Sequence, residues 1–146
     1  MNVGESNAVG ITSDVPATNT TLVSAGLSFA VGAGESYHFL YTLSCTSTNL
    51  AGFEFNLVAP NCSGNFINTS STSASVGVNG TTTGLSPNTQ YGKQGTFQET
   101  HSNTISGIIT NGGGATTCDL QFAQNTTNGT PIKVKGGSSV LYTRIA

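Results

Sequence analysis

Charged residues are scarce in this sequence. Its four Lys/Arg and six Asp/Glu residues make up only 7% of the 146 positions, whereas a typical soluble protein has about 25%. Four basic side chains and a net charge of −2 cannot neutralise a run of phosphates, which excludes nucleic-acid binding by that route. The same scarcity of lysine and arginine excludes a polybasic membrane anchor.

Long apolar runs and helix-forming blocks are also missing from the sequence. No stretch approaches the roughly 18 consecutive apolar residues of a membrane-spanning helix. No block rich in Ala, Leu, Glu and Lys supports a coiled coil or a helical bundle. Residues 1–7 have neither the basic nor the apolar segment of a secretion signal. We therefore expect the protein to be made in a cytoplasm.

The cysteines are few and widely spaced. Cys45, Cys62 and Cys118 include no C-x-x-C pair, the spacing that zinc sites use. We expect three buried small hydrophobes. One disulfide with a leftover thiol is the alternative, and it would conflict with a reducing site of synthesis.

Small uncharged polar residues take the place of charge. Gly, Thr, Ser and Asn together account for half of the chain. Six N-x-S/T sequons occur, at Asn19, Asn61, Asn68, Asn79, Asn125 and Asn128. So many are expected by chance in such a composition, and without a secretion signal we assign them no glycosylation. Disordered chains combine low hydrophobicity with high net charge, and the small net charge here favours a folded chain.

Alternation of apolar and polar residues predicts β-strands. The clearest case is 37–45, where every second residue is aromatic, leucine or cysteine. Weaker period-two patterns occur at 53–57, 118–122, 132–134 and 140–145. With shorter candidates between them, we count eight to ten strands and turn signals every 8–12 residues. This spacing predicts an all-β protein, either an antiparallel β-sandwich or a small barrel.

Glycine and proline mark breaks in the pattern. A turn at 24–26 is predicted to separate two short strands, Thr20–Val23 and Leu27–Val31. Gly107 predicts a bulge or a close backbone approach within its strand. Residues 1–18 show no strong periodicity, and Pro16 keeps Val15 extended. We predict that residues 1–18 form an extended N-terminal arm that reaches a neighbour, and that 19–146 form a single β-sandwich domain.

Two pairs of side chains have the residue types of a catalytic or metal-binding pair. Glu35 and Glu54 resemble a glycosidase pair, which needs two carboxyls roughly 5–10 Å apart in a cleft with sugar-stacking aromatics. The chain has no tryptophan, and we expect Glu35 to be solvated in its glycine-flanked turn. Glu99 and His101 share a strand face and could bind a metal with a third ligand. His38 is the only other histidine, so a polar surface pair is expected instead.

The sequence also lacks the motifs of a nucleophilic hydrolase and of a phosphate-binding loop. No G-x-S-x-G nucleophile turn is present, and the glycines at 112–114 are not followed by the lysine and helix of a phosphate loop. The hydroxyl-rich runs Thr69–Ser75 and Thr81–Thr83 could contact sugars or could be turn tips. We predict a protein that is not an enzyme, with no catalytic, cofactor or metal site.

Six short segments follow one another in a particular order along the chain. They read TTL at 20–22, GLSFAV at 26–31, AGESYHF at 33–39, GFEF at 52–55, ISGII at 105–109 and GGSSVLYTRI at 136–145. This order resembles a group of small virion proteins of tailed bacteriophages. In them, T-L…G-L-x-F-x-V-x-A-G-x-x-Y-x-F and G-S-x-L…R-I segments enclose a β-sandwich.

The resemblance implies a fold and a role but no functional residue. It implies a jelly-roll-like sandwich, a homotrimer or other oligomer, attached to the major capsid protein or another virion protein. The leading expectation is a capsid decoration (cement) protein, made in the host cytoplasm and located on the virion. The alternative is a fibre, spike or collar component whose hydroxyl-rich loops bind host glycans.

Overall fold

The computed structural model describes residues 1–47, 51–71, 77–83, 91–94 and 99–146. Every regular element of these residues is a β-strand, so the all-β prediction is confirmed. The strands are β1 (Ser6–Gly10), β2 (Val15–Ala17), β3 (Val23–Val31), β4 (Ser36–Ser47), β5 (Phe53–Val58), β6 (Cys62–Ser71), β7 (Gly77–Thr83), β8 (Tyr91–Gln94), β9 (Glu99–Asn111), β10 (Thr116–Gln124), β11 (Ile132–Val134) and β12 (Ser139–Arg144).

The strands form two antiparallel sheets that pack face to face. The larger sheet has the order β1-β12-β4-β9-β6-β7, with β11 joining β4 to β2, and the smaller sheet has the order β3-β10-β5-β8. From β3 to β10 the chain changes sheet at every step except between β6 and β7, and the orders β1-β12-β4-β9 and β3-β10-β5-β8 lie in the two facing sheets. This is the jelly-roll arrangement of a double-sheet sandwich, which the resemblance to small phage virion proteins implied. Because the strands form two separate sheets, the fold is a sandwich and not the small barrel that the sequence also allowed.

Strand β4 lies in the middle of the larger sheet, and the alternation in its sequence explains which of its side chains are buried. Its aromatic residues, including Phe39 and Tyr41, are fully buried, while His38 on the other face is exposed. Its inner side chains meet those of β10 and β5 from the smaller sheet, such as Phe122 and Phe55, in one hydrophobic core. Burial of these large side chains contributes roughly 1.5–3 kcal/mol each.

The predicted turn at 24–26 is wrong, because β3 continues through it as one strand. Gly26 has φ +74°, a conformation that glycine adopts without the steric cost of a Cβ. The pairing of β3 with β10 slips here: Ser28 lies opposite Asp119, whereas Ser24 lies opposite Gln121. The extra residues form a bulge. A glycine signal that reads as a turn in sequence is thus accommodated within a strand.

The prediction of a close backbone approach at Gly107 is confirmed. Gly107 lies in β9 directly opposite Phe39 of β4 and Phe66 of β6. A Cβ built on Gly107 would overlap the Asn65 carbonyl oxygen and come 2.6 Å from the Phe66 Cβ. Pairing of β9 with both neighbours continues in register across this point. The glycine provides a close approach of strands and not a bulge.

The N-terminal arm is extended, but it pairs within its own molecule. Strand β1 hydrogen-bonds to β12 with Ala8 opposite Leu141, and β2 pairs with β11. The Arg144 guanidinium also donates to the Met1 carbonyl oxygen at 2.6 Å. The arm therefore extends the larger sheet through β1. The described residues form twelve strands, two more than the upper end of the predicted eight to ten.

Candidate functional site

Glu35 is held in a network of contacts and is not the solvated turn residue that the sequence predicted. Its carboxylate accepts a hydrogen bond from the Tyr37 hydroxyl at 2.7 Å and one from the Gly32 amide at 3.0 Å. Arg144 from β12 lies 2.8 Å from the other oxygen. The Tyr37 hydrogen bond, the Arg144 charge and the Gly32 amide lower the pKa of Glu35. The cluster ties the β3–β4 turn to the last strand.

Glu35 and Glu54 do not form a catalytic pair. Glu35 precedes the first residue of β4, and Glu54 lies at the start of β5, beyond the far end of β4. The twelve residues of β4 span roughly 36 Å at about 3.3 Å per residue. Glu54 is only 4% exposed and lies opposite Ala123 on the outer face of the smaller sheet. This separation is several times what a glycosidase pair requires.

His101 is buried and not a surface residue, which corrects the sequence prediction. It is 5% exposed, and its ring packs edge-on against Phe53 with centroids 5.2 Å apart. The side chain of its predicted partner, Glu99, lies outside the described side chains. Within the described part of the chain, no group of three or more His, Cys, Asp or Glu residues is placed to bind a metal.

Beside His101, polar side chains occupy one end of the interior, which the sequence patterns did not predict. Asn103 donates to the Cys45 sulfur at 3.7 Å, and Asn68 is also buried. Gln124 is fully buried and donates to the Thr130 carbonyl at 2.8 Å, which fixes the turn after β10. In the sequence, a polar residue on the inner face of a strand looks like a break in the apolar pattern. Only its place in the period-two alternation, on the same face as the apolar residues, could have indicated that it is buried.

All three cysteines are free thiols, which excludes the alternative disulfide in this structure. Cys45 and Cys118 are buried as expected, whereas Cys62 is half-buried. Burial raises the pKa of Cys45 and of Cys118 from 9.0 to about 12. Burial, together with the hydrogen bond to Glu35, also raises the pKa of Tyr37 from 10.0 to about 12. In each case the folded protein favours the neutral form.

We expect the raised pKa values of Tyr37, Cys45 and Cys118 to make the folded protein less stable at alkaline pH. The unfolded chain loses the protons near pH 9–10 while the folded chain holds them to about pH 12. Their contribution to the free energy of unfolding is therefore complete below pH 9 and is lost as the pH rises towards 12. Urea midpoints at pH 8, 10 and 11 should fall progressively. Cys45→Ala should reduce the slope, and a constant midpoint up to pH 11 would contradict the assignment.

A shallow groove lies on the outer face of the smaller sheet. Its volume is about 560 Å³, and Ser24, Thr117, Asp119 and Val58 are among its lining residues. The Asp119 carboxylate accepts hydrogen bonds from the Ser24 hydroxyl at 2.7 Å and from the Gln121 amide at 3.3 Å. Hydroxyls around one carboxylate could bind a polar ligand such as a sugar, although none of the described residues that line the groove is aromatic.

The hydroxyl-rich runs are not wholly loops. Residues 69–71 belong to β6, and Thr81–Thr83 belong to β7, so the prediction of loops is wrong for them. Residues 72–76 lie outside the described residues. The sequence therefore placed possible sugar contacts where the structure has paired strands.

The outer face of the larger sheet is free of charge over its centre. Between the Ser36 and Ser44 levels, the described side chains of β12, β4, β9 and β6 on this face are Ser, Thr, Asn, Leu and Ile, with His38 as the one titratable group. His38 faces away from the aromatic row of β4, as the period-two alternation at 37–45 predicts. Lys133, opposite Thr46, lies at one end of the face, where Asp14 is 4.0 Å from it.

Comparisons with known proteins give only weak structural likeness. No family model and no curated protein matches the chain. Among solved structures, a chain of infectious bursal disease virus, Gx strain, is 11% identical over 99% of this chain, with a TM-score of 0.25. A chain of the VP2 subviral particle of the same virus is 10% identical over 97%, with a TM-score of 0.24. This chain spans 38% and 37% of those two chains. At such scores the likeness carries no inference about function.

None of the described residues forms a helix able to cross a membrane.

Proposed function

We propose that this chain is a non-enzymatic structural protein of a bacteriophage particle: a capsid decoration protein that binds the outside of the head and stabilises it. The observation that carries the proposal is the wide outer face of the larger sheet, whose described centre has no charged side chain. A broad neutral face suits contact with other protein surfaces better than it suits a catalytic cleft. The order of segments that resembles small phage virion proteins supports the same role.

The physical demands on a virion surface protein agree with this composition. Such a protein meets changing salt concentrations, and surface ion pairs weaken as salt screens them. Here the stability comes from a core of fully buried aromatic and aliphatic residues from both sheets. Identical copies packed side by side also repel one another less when each has few charges. We propose that the copies form a homotrimer bound to the major capsid protein or another virion protein.

Imaging of purified virions tests the proposal. We expect electron cryo-microscopy to place this chain on the outer capsid, at three-fold or quasi-three-fold positions, in hundreds of copies per particle. Copies found only on the tail, or a particle that lacks the chain, would overturn it. Quantitative mass spectrometry of the same particles gives the copy number independently.

The groove beside Asp119 favours a second candidate, a fibre, spike or collar component that binds host glycans. A carboxylate with neighbouring hydroxyls is a common way to bind sugar hydroxyl groups through hydrogen bonds. Copy number separates the two candidates, because a fibre or collar component is present in tens of copies or fewer. The missing aromatic platform is the reason that we rank this candidate second.

A further inference from the structure

Four aliphatic side chains form a patch on the outer face of the larger sheet. The apolar patch consists of Leu40 in β4, Ile67 in β6, Ile108 in β9 and Leu141 in β12. Ile67, Ile108 and Leu141 are 44%, 47% and 46% exposed, which is high for large aliphatic residues in a folded domain. Each comes from a different strand, so the patch crosses the sheet and does not follow one edge.

The strand register shows that the patch is continuous. Leu40 lies directly opposite Leu141, and Ser106 lies between Leu40 and Ile67 on neighbouring strands. Ile108 lies two residues beyond Ser106 in β9, on the same face of the sheet and opposite His38. Contiguous exposed apolar surface with a polar rim marks protein-contact sites on soluble proteins. Here the rim is formed by the serine, threonine and asparagine side chains at neighbouring levels, such as Thr42, Asn65 and Thr143.

The size of the neutral face matches what a stable assembly needs. Five strands, β1, β12, β4, β9 and β6, give a width of about 24 Å at roughly 4.8 Å per strand. Eight residue steps from the Ser36 level to the Ser44 level give a length of about 27 Å. The face therefore covers about 650 Å², and each partner in a standard interface contributes roughly 600–1,000 Å².

We propose that the apolar patch is the surface through which copies of this chain contact one another. The neutral face has nothing to attract a strongly charged partner, whereas the same face on a second copy places uncharged surface against uncharged surface without repulsion. The three-fold arrangement rests on the proposed function, and in it the three patches meet at the axis.

Sedimentation of the purified full-length chain tests the contact. The wild-type protein is expected to have about three times the monomer mass of 14.8 kDa at micromolar concentration. Ile108→Lys places an unpaired charge in the centre of the patch and should weaken assembly by roughly 30-fold or more. Ile108→Ser, which is polar but uncharged, should weaken it less. Both variants should keep the wild-type circular dichroism spectrum, because Ile108 is exposed.

A lysine on the other sheet provides the matched control. Thr117 is exposed in β10, on the outer face of the smaller sheet, so Thr117→Lys should leave the mass unchanged. A wild-type protein that stays monomeric, or an Ile108→Lys variant that assembles like wild type, would overturn the inference. An assembled protein that is absent from virions would overturn the proposed function and leave the contact standing, so the two failures can be told apart.

Discussion

Gly107→Ala is expected to lower the melting temperature by about 10 °C. The added methyl group would overlap the Asn65 carbonyl oxygen and the Phe66 backbone, and both belong to the paired strand β6, so neither can move without breaking the sheet. Overpacking of this kind costs about 3 kcal/mol, and for a domain of this size each kcal/mol corresponds to about 3 °C. Thermal unfolding followed by circular dichroism measures the loss.

Gly129→Ala is the control for this substitution. No atom lies within 4 Å of a Cβ built on Gly129, so the change should stay within about 0.5 kcal/mol of wild type. Gly64→Ala should behave like Gly107→Ala, because its Cβ would overlap the Ile108 carbonyl oxygen on the same pair of strands. Equal melting temperatures for the Gly107 and Gly129 variants would show that β6 and β9 do not approach so closely.

Phe122→Ala should cost about 3–5 kcal/mol of the free energy of unfolding. Phe122 is fully buried in β10, stacks on Phe53 with centroids 5.7 Å apart and lies directly opposite Phe55. Truncation leaves a cavity that rigid neighbouring strands cannot close, and it removes the stacking contact as well. Urea unfolding at neutral pH measures the change as a lower midpoint.

Two further substitutions test whether the loss of stability comes from removal of the buried Phe122 ring. Phe122→Leu keeps most of the volume and should cost clearly less than Phe122→Ala. Thr117→Ala, on the exposed face at the start of the same strand, should change stability by less than about 0.5 kcal/mol. If Phe122→Ala were as mild as Thr117→Ala, the stack of phenylalanine rings would not be part of the core.

Strands that pack one face on the core were predictable from the sequence. In β4 and β12 a buried residue is followed by an outward one, as Tyr142 is followed by Thr143, so period-two alternation gives both the strand and its inner face. The same alternation predicted the outward direction of His38. The neutral outer face was therefore implied by the sequence, although its extent depends on which strands lie side by side.

Long-range partners could not be predicted. Nothing near Glu35 indicates that Arg144 is its partner, because the two come together only when β12 lies beside β4. The pairing of β1 with β12 was missed for the same reason: short exposed strands such as β1 have weak alternation and take their structure from the neighbour. The bulge at Gly26 was missed because a glycine with positive φ serves turns and bulges equally well.

The strand order also determines when the molecule can fold. Among the pairings of the described strands, only β6 with β7 joins strands that are consecutive in the chain. Strand β4 pairs with β9, β11 and β12, and β1 pairs with β12, so β1 has no partner until β12 has been synthesised. Folding dominated by such distant pairings takes milliseconds to seconds. The larger sheet can therefore be completed only after β12 has been synthesised.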